Sequence, residues 1–182
     1  TDRWLVETNY IHATATVESS STTNFETRNG FSPNESIDAR FKTAVVTNRM
    51  TYIGNIFQNG QVFGDRMIKS PVNKFDTFPE SNFIEASIQD GDEIVKLEEY
   101  ADRILQFKKN KMHLINISQE IEFLEETFLH KGVNHPAATC KTDFGIAWVN
   151  IHGVYLYDGQ KVNNLFEKQG RQIIKESEWE SF

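Results

Sequence analysis

Cysteine is almost absent from this sequence. Cys140 is the only one among 182 residues, which excludes an internal disulfide framework and a zinc site built from several cysteines. A lone cysteine is compatible with a reducing compartment.

Long apolar runs are also lacking. The longest cover only a few residues, such as Ala44-Val45-Val46, whereas a helix that spans a bilayer needs roughly 20 apolar residues. No basic start followed by an apolar stretch marks a signal peptide. We therefore expect no membrane partner. The length of 182 residues allows one domain or part of a larger one.

Positive charge is in deficit. Lys and Arg together number 19 and Asp and Glu number 26, so the net charge is −7. Tight binding to nucleic acid needs a basic patch, because most of the affinity comes from the phosphates. An acidic chain is a poor candidate for that role.

Proline is scarce, with four residues, and long helical periodicity is scarcer. What the sequence has instead is alternation of period two, broken by Asn, Asp and Gly and rich in aromatic residues, of which Phe supplies 14. This pattern is typical of many short β-strands.

The clearest alternation begins at Ile94. It predicts four strands joined by short polar turns: Ile94–Tyr100, Ile104–Phe107, Met112–Ile117 and Glu120–Phe128.

A similar pattern follows 42 residues later. Ile146–Val149 and Val154–Tyr157 predict two strands around a four-residue hairpin loop, and Ile146 then aligns with Ile104. The alignment places four residues at matching positions, and we expect all of them to be buried between sheets: Phe107, Leu114, Val149 and Leu156.

A third copy lies upstream. Phe41–Val46 and Met50–Ile56 predict two strands, and the dipeptide Asn59-Gly60 predicts a hairpin that leads into a strand toward Ile68. Repeats of three or four antiparallel strands every 40–50 residues are the pattern of β-propeller blades.

The predicted fold class is therefore all-β, with antiparallel blades of a β-propeller that is incomplete in this chain; a β-sandwich is the alternative. A propeller closes with four to eight blades, and this chain supplies about three. The predicted organisation has N-terminal strands and a polar loop in residues 1–40, about three blades in 41–165, and a C-terminal segment in 166–182 that continues into missing chain.

The two ends of the chain depart from the repeat. Near the N-terminus, Arg3–Glu7 and Tyr10–Val17 predict strands ahead of a polar run at 19–24. Near the C-terminus, the stretch from Val162 predicts a short helix that starts close to Asn163 or Asn164.

Motifs for metal or nucleophilic chemistry are missing. The five histidines (His12, His113, His130, His135 and His152) include no helical i, i+4 pair and no HExxH. No G-x-S-x-G elbow and no phosphate-binding glycine loop occur. Lys141 follows Cys140 and would favour a reactive thiolate, but the simpler interpretation is a small buried cysteine on a strand.

Carboxylates are plentiful but fall in runs that favour a solvated face, not a catalytic pair. They are Asp90, Asp92, Glu93, Glu98, Glu99, Glu122, Glu125 and Glu126. The segment from Asp143 to Trp148 partly matches the Asp-box hairpin of sialidases, which is itself structural. We therefore predict no catalytic, cofactor-binding or metal-binding residues, no cofactor, and no enzymatic activity.

Several word-like segments resemble the β-propeller structural proteins of short-tailed bacteriophages, such as tail nozzle and stabilisation-layer proteins. They are Phe78-Pro79-Glu80, Asp90-Gly91-Asp92-Glu93-Ile94, Leu105-Gln106-Phe107-Lys108, Leu114-Ile115-Asn116-Ile117-Ser118, Gly145-Ile146-Ala147-Trp148-Val149-Asn150 and Gly153-Val154-Tyr155-Leu156-Tyr157-Asp158-Gly159. The resemblance covers roughly residues 45–165.

The resemblance implies a non-enzymatic subunit of a phage tail nozzle or adaptor region, located in the virion and assembled in the host cytoplasm. The implied partners are copies of the same chain in a ring and other tail or portal-proximal proteins. DNA would pass through transiently without specific binding, which a net negative chain favours. The alternatives are a propeller glycoside hydrolase and a soluble propeller scaffold that binds proteins.

Overall fold

The structure is a computed structural model that describes residues 3–6, 11–14, 39–58, 60–87, 91–119, 121–168, 170–179 and 181. The chain is all-β, as predicted, and its antiparallel strands form four separate sheets in which each strand pairs with the next along the chain. Open sheets of this kind fit an incomplete propeller or a sandwich, the two architectures that the sequence predicts.

The first sheet contains six strands, which are β1 (Arg3–Val6), β2 (Ile11–Thr14), β3 (Ala39–Thr47), β4 (Met50–Gln58), β5 (Gln61–Lys69) and β6 (Phe83–Glu85). The second sheet contains β7 (Ile94–Tyr100), β8 (Arg103–Lys108), β9 (Lys111–Asn116) and β10 (Phe123–Leu129). The third sheet contains β11 (Thr139–Thr142), β12 (Gly145–Asn150), β13 (Gly153–Tyr157) and β14 (Val162–Asn164). A final hairpin joins β15 (Glu167–Lys168) to β16 (Arg171–Gln172).

Helical structure in the described ranges is confined to single turns. Two 3-10 turns cover Glu80–Asn82 and Pro136–Ala138, and one α-helix, α1, covers Glu176–Trp179. The strands predicted for the three repeats are confirmed, because strands of the first, second and third sheets cover the predicted segments. The predicted polar run at 19–24 lies outside the described residues.

The chain divides into two compact units, residues 1–97 and 98–182. In the first unit, the start of β7 packs on β4 of the first sheet. Gly54 leaves room for this contact, because a Cβ at that position would lie 3.1 Å from the Leu97 side chain, closer than most Cβ contacts. The amide N–H of Leu97 donates to the Thr43 hydroxyl at 3.0 Å.

A buried polar group strengthens this contact. Asn55 interrupts β4 with a left-handed backbone (φ 59°), and its amide nitrogen donates to the carbonyl oxygen of Ile94 at 2.8 Å. The same nitrogen donates to Glu93, which also pairs with Lys42 at 3.0 Å. These bonds satisfy backbone and side-chain groups that burial would otherwise leave without partners.

The opposite face of the first sheet carries its own apolar core. Ile53 neighbours Gly54 in the strand and so points to the other side. The core on that side contains Phe41, Ile53, Ile56 and Ile68, with Phe63 and Phe78 packed against it. Phe78 belongs to the loop between β5 and β6, so the chain covers this face with its own loop.

In the second unit, the second and third sheets pack face to face through aromatic side chains. The rings of Phe107 and Trp148 meet edge to face with centroids 5.2 Å apart, and Tyr155 lies 5.5 Å from Trp148. Beside this aromatic contact, Lys141 of the third sheet pairs with Glu99 of the second sheet at 3.0 Å. This packing buries large apolar surface, the main source of stability in a sheet-on-sheet interface.

The 42-residue offset between the two sheets holds in the pairing of their strands. Four cross-strand pairs show it: Leu105 with Leu114, Phe107 with Met112, Ala147 with Leu156, and Val149 with Val154. The β8–β9 and β12–β13 hairpins are thus equivalent strand for strand.

The prediction that all four aligned residues are buried is wrong for the third sheet. Phe107 and Leu114 are buried, but Val149 is 38% exposed and Leu156 is half-buried. The alignment was sound, but Val149 and Leu156 lie on the face of the third sheet that points away from Trp148. For that face, no described residue of the second unit provides an aromatic contact like that of Trp148 with Phe107.

The stretch from Val162 holds a short helix, as predicted, but its predicted start near Asn163 or Asn164 is wrong. Residues 162–164 form β14, because they complete the third sheet by pairing with β13, and the hairpin β15–β16 follows. Pairing with an existing strand edge outweighs the weak local preference of so short a segment. The helix begins only at residue 176.

Truncation of one apolar side chain on each of the two corresponding sheet faces should report which face is buried. We expect Leu114→Ala to lower the free energy of unfolding by about 2–5 kcal/mol, because the side chain is 4% exposed. We expect Val149→Ala to cost less than about 1 kcal/mol, because its side chain is already partly solvated. Urea unfolding of both variants measures the difference, and equal losses would contradict the assignment of faces.

Gly145 should tolerate no side chain. Its φ is +141°, and a Cβ there would collide with the carbonyl oxygen of Tyr157. Gly60→Ala is the matched control, because Gly60 also has positive φ (+77°) but has open space around it. We expect the control to cost about 1–2 kcal/mol and Gly145→Ala clearly more in thermal unfolding. A smaller loss for Gly145→Ala would contradict the packing of this turn.

Candidate interaction surface

One face of the third sheet is uncharged and remains partly open to water among the described residues of its unit. Cys140, Ala147, Leu156 and Asn163 pair in register and form one row across all four strands. Val149 and Val154 form the next row. We call these six residues the outer face. None of them is charged, although a quarter of the chain's residues are.

Exposed apolar side chains extend this surface at the turns. Phe144, in the β11–β12 turn, is 76% exposed, and Ile151, in the β12–β13 turn, is 57% exposed. Contiguous apolar surface that remains open to water is a common mark of interaction sites.

The strands that carry the outer face are held rigidly. Asn150 donates to the carbonyl oxygens of His130 and Gly132 at 3.0 and 2.9 Å. The indole N–H of Trp179 donates to the Asn150 carbonyl at 2.8 Å, which ties α1 to the same hairpin. A rigid scaffold lowers the entropy lost when a partner binds.

A second anchor is the turn after β13. One carboxylate oxygen of Asp158 accepts from the backbone N–H groups of Gln160 and Lys161, both at 2.9 Å, and the other accepts from Asn163 at 2.8 Å. The N–H groups of Lys161 and then Gln160, with Asn163, lower the pKa of Asp158.

Arg103, Glu125 and Asn116 form the clearest charged cluster of the second sheet. Arg103 donates to Glu125 at 2.9 Å and Asn116 donates to the same oxygen at 3.1 Å. The hydrogen bond from Arg103, opposed by partial burial and assisted by Asn116, lowers the pKa of Glu125. Burial raises the pKa of Tyr157. A carboxylate held ionised by an arginine is a weak proton acceptor, so Glu125 is a poor candidate for a general base. The cluster instead links strands of the second sheet.

Four of the five histidines make contacts within the described part of the fold. His113 is buried on β9 with its Nδ1 2.9 Å from the Thr127 hydroxyl. His135 accepts from the N–H of Ala137 at the start of a 3-10 turn. The rings of His130 and His152 touch, with centroids 5.2 Å apart. Among the described residues, no group of three or more His, Cys, Asp and Glu side chains is arranged to hold a metal ion.

The position of Cys140 differs from the sequence-based interpretation. Its side chain is exposed on an edge strand and is not the buried cysteine that the sequence predicts. Adjacent residues on a strand point to opposite faces, so Lys141 lies on the other side of the sheet, where it pairs with Glu99. The lysine that would have favoured a thiolate is therefore directed away from Cys140.

Several of the carboxylates singled out in the sequence serve packing. Glu93 binds Lys42 and Asn55, Glu98 accepts from the hydroxyl of Thr139 at 2.9 Å, and Glu99 binds Lys141. Asp90 lies outside the described residues. The partial Asp-box segment forms the β11–β12 hairpin with Trp148 buried, which fits a structural role.

Sequence reasoning missed the outer face as a site, although a signal for it was present. β12 and β13 carry apolar residues at consecutive positions and not only at alternate ones, a pattern typical of strands that are covered on both faces.

Comparison with known proteins adds no identification. The sequence matches no protein-family model, and a search of curated proteins finds no matching relative. Within the described ranges, no helix is both long and apolar enough to cross a membrane.

The turn anchored by Asp158 should make stability depend on pH. Its folded pKa lies below the ordinary value of 3.8, so its contribution is fully present above 3.8 and is lost as the pH falls through the lower folded value. We expect Asp158→Asn to destabilise the protein at neutral pH, and the gap to the unchanged protein to narrow below about pH 4.

Chemical unfolding from pH 7 to pH 3 measures that gap. Asp143→Asn, in the exposed turn between β11 and β12, is the control for loss of one negative charge. An Asp158→Asn gap that stays constant with pH, or equals that of the control, would contradict this role.

Proposed function

We propose that this chain is a non-enzymatic structural component of a bacteriophage virion, a subunit of the tail nozzle or adaptor region that forms a ring around the DNA exit path. The observation that carries the proposal is the uncharged outer face, on which Val149 and Cys140 are exposed among the described residues. A structural subunit needs such a surface to join its neighbours. The resemblance to phage propeller proteins over residues 45–165 supplies the setting.

The placement of reactive side chains favours a structural role over the alternative of a glycoside hydrolase. A hydrolase needs two carboxyl groups that face each other across a sugar. Glu98 and Glu99 are neighbours on β7, and each bonds to a residue of β11. Such bonds hold sheets together and leave less freedom for proton transfer. The alternative of a soluble scaffold would use the same outer face to bind proteins. Finding the chain in virus particles would therefore distinguish the proposal from that alternative.

Location is tested on purified phage particles from the virus that encodes the chain. We expect peptides of this chain in the particles and a ring of copies at the tail in negative-stain images. Labelling with an antibody against the chain should mark the tail, and pre-immune serum is the control. Particles that lack the chain would overturn the proposal, as would glycan hydrolysis by the full protein that is lost in Glu98→Gln or Glu99→Gln.

Contact with DNA should be weak. The net charge of −7 repels phosphates, so we expect duplex DNA to bind no more tightly than ordinary non-specific affinities of about 10⁻⁴–10⁻⁶ M at physiological salt. Fluorescence anisotropy with a labelled duplex measures this, with a basic protein of similar size as the positive control. Submicromolar affinity would argue against a passive channel.

A further inference from the structure

Two aromatic rings and a carboxylate hold the guanidinium of Arg66, on β5. Its central carbon lies 4.0 Å from the centre of the Phe63 ring and 4.8 Å from the centre of the Phe83 ring. Its Nε donates to Glu85 at 2.8 Å, along the register that pairs Arg66 with Glu85. Cation–π contacts with two rings and a charge-assisted hydrogen bond fix the position of the guanidinium.

The site is partly withdrawn from water but can still be reached. The Arg66 side chain is 17% exposed and the Glu85 side chain is 18% exposed. Phe63 packs against the core of the first sheet, whereas Phe83, on the edge strand β6, is 49% exposed. A ligand can therefore approach Arg66 beside the exposed ring of Phe83, and a charge that binds there is screened less than at a fully solvated site.

Arg66 keeps donors that the fold does not use. Arginine has five N–H donors, and Glu85 accepts the one at Nε. Among the described residues, neither Nη1 nor Nη2 of Arg66 has a hydrogen-bond acceptor, and both nitrogens still reach solvent. Arg103 shows the contrast, because its Nε and Nη2 donate to Glu125 and its Nη1 donates to the carbonyl oxygen of Ala101. The two terminal nitrogens of Arg66 therefore form an unused fork of donors.

The surroundings of this fork favour a carboxylate over other common anions. A carboxylate can accept from both terminal nitrogens of an arginine at once, in the plane of the guanidinium. Phosphate can do the same, but it carries up to two negative charges at neutral pH, and Glu85 already offsets the charge of Arg66. The rings of Phe63 and Phe83 favour a ligand with carbon next to its anionic group, because that carbon is removed from water as well.

We propose that Arg66, with Phe63 and Phe83 beside it, binds a carboxylate that is attached to an apolar group, as at the chain end of a peptide whose last residue is apolar. Such a ligand would place its carboxylate on the two terminal nitrogens and its side chain against the exposed part of Phe83. The inference does not rest on the proposed function, because the site would take the same ligand in any assembly. All its side chains belong to the first sheet, so the outer face of the third sheet takes no part in it.

Binding is measured on the full chain by NMR, through the backbone N–H signals of Phe63 and Phe83 and the Nε–H signal of Arg66. The probe is N-acetyl-leucine, and N-acetyl-leucinamide is the matched control because it lacks the carboxylate. We expect N-acetyl-leucine to shift these signals saturably and the amide to bind at least about tenfold more weakly, which corresponds to about 1.4 kcal/mol. Inorganic phosphate should also bind more weakly, as should N-acetyl-glutamic acid α-amide, whose carboxylate is on a side chain.

Two variants test the fork and the exposed ring separately. Arg66→Lys keeps the charge but removes the fork, so we expect at least about tenfold weaker binding of N-acetyl-leucine. Arg171→Lys makes the same exchange at an exposed arginine of the β15–β16 hairpin and should bind normally. Phe83→Ala removes the exposed ring and should weaken binding severalfold. A melting curve establishes that Arg66→Lys is folded; if it is not, Phe83→Ala, at a half-exposed position, carries the test.

Three results would overturn the inference: N-acetyl-leucine that leaves all three signals unchanged, an amide that binds as tightly as the acid, and binding that neither Arg66→Lys nor Phe83→Ala weakens. Tighter binding of phosphate would overturn the choice of a carboxylate. Tighter binding of the glutamic acid derivative would overturn the assignment to a chain end. Virus particles that lack the chain would refute the proposed function and leave these binding results unaffected.

Discussion

Face-to-face packing of small antiparallel sheets is the constraint on which this structure depends. Each sheet of four strands is thin and carries apolar side chains on both faces, so a single sheet cannot bury itself. The contact of Phe107 with Trp148 meets this requirement between the second and third sheets, and Phe78 meets it from a loop on the first. On the outer face, the described residues leave Val149 38% exposed.

Polar and glycine residues serve that packing. The backbone at Gly145 lies too close to the Tyr157 carbonyl for a side chain, Gly54 leaves room for the Leu97 side chain, and Asn55 links a bulged strand to the carbonyl of Ile94. The carboxylates of Glu93, Glu99 and Glu125 each meet a lysine or arginine. Exposed ion pairs contribute little stability individually. The pair of Glu99 with Lys141 links two sheets, whereas the pair of Glu125 with Arg103 links strands within one sheet.

The structural role proposed above would account for these features together. Ionisable groups that enzymes would leave poised for proton transfer are here engaged in holding strands and turns, as Asp158 does for the β13–β14 connection. The uncharged outer face and the negatively charged remainder of the surface then have separate proposed roles. Under the proposed function, the first would contact neighbouring subunits, and the second would weaken contact with DNA.

The alternation of apolar residues determined the strands, their turns and the 42-residue repeat, because apolar side chains at every second position mark a strand with one buried face. Strand pairing and the hairpin registers followed from the same pattern. The tertiary structure alone decided which copy of a repeated face is covered: Leu114 is buried and Leu156 is not, although both have the same place in their hairpins. It also placed Cys140 on the open face and turned residues 162–164 into a strand. Such outcomes depend on which distant segment packs against each sheet face, and the local sequence pattern does not identify that segment.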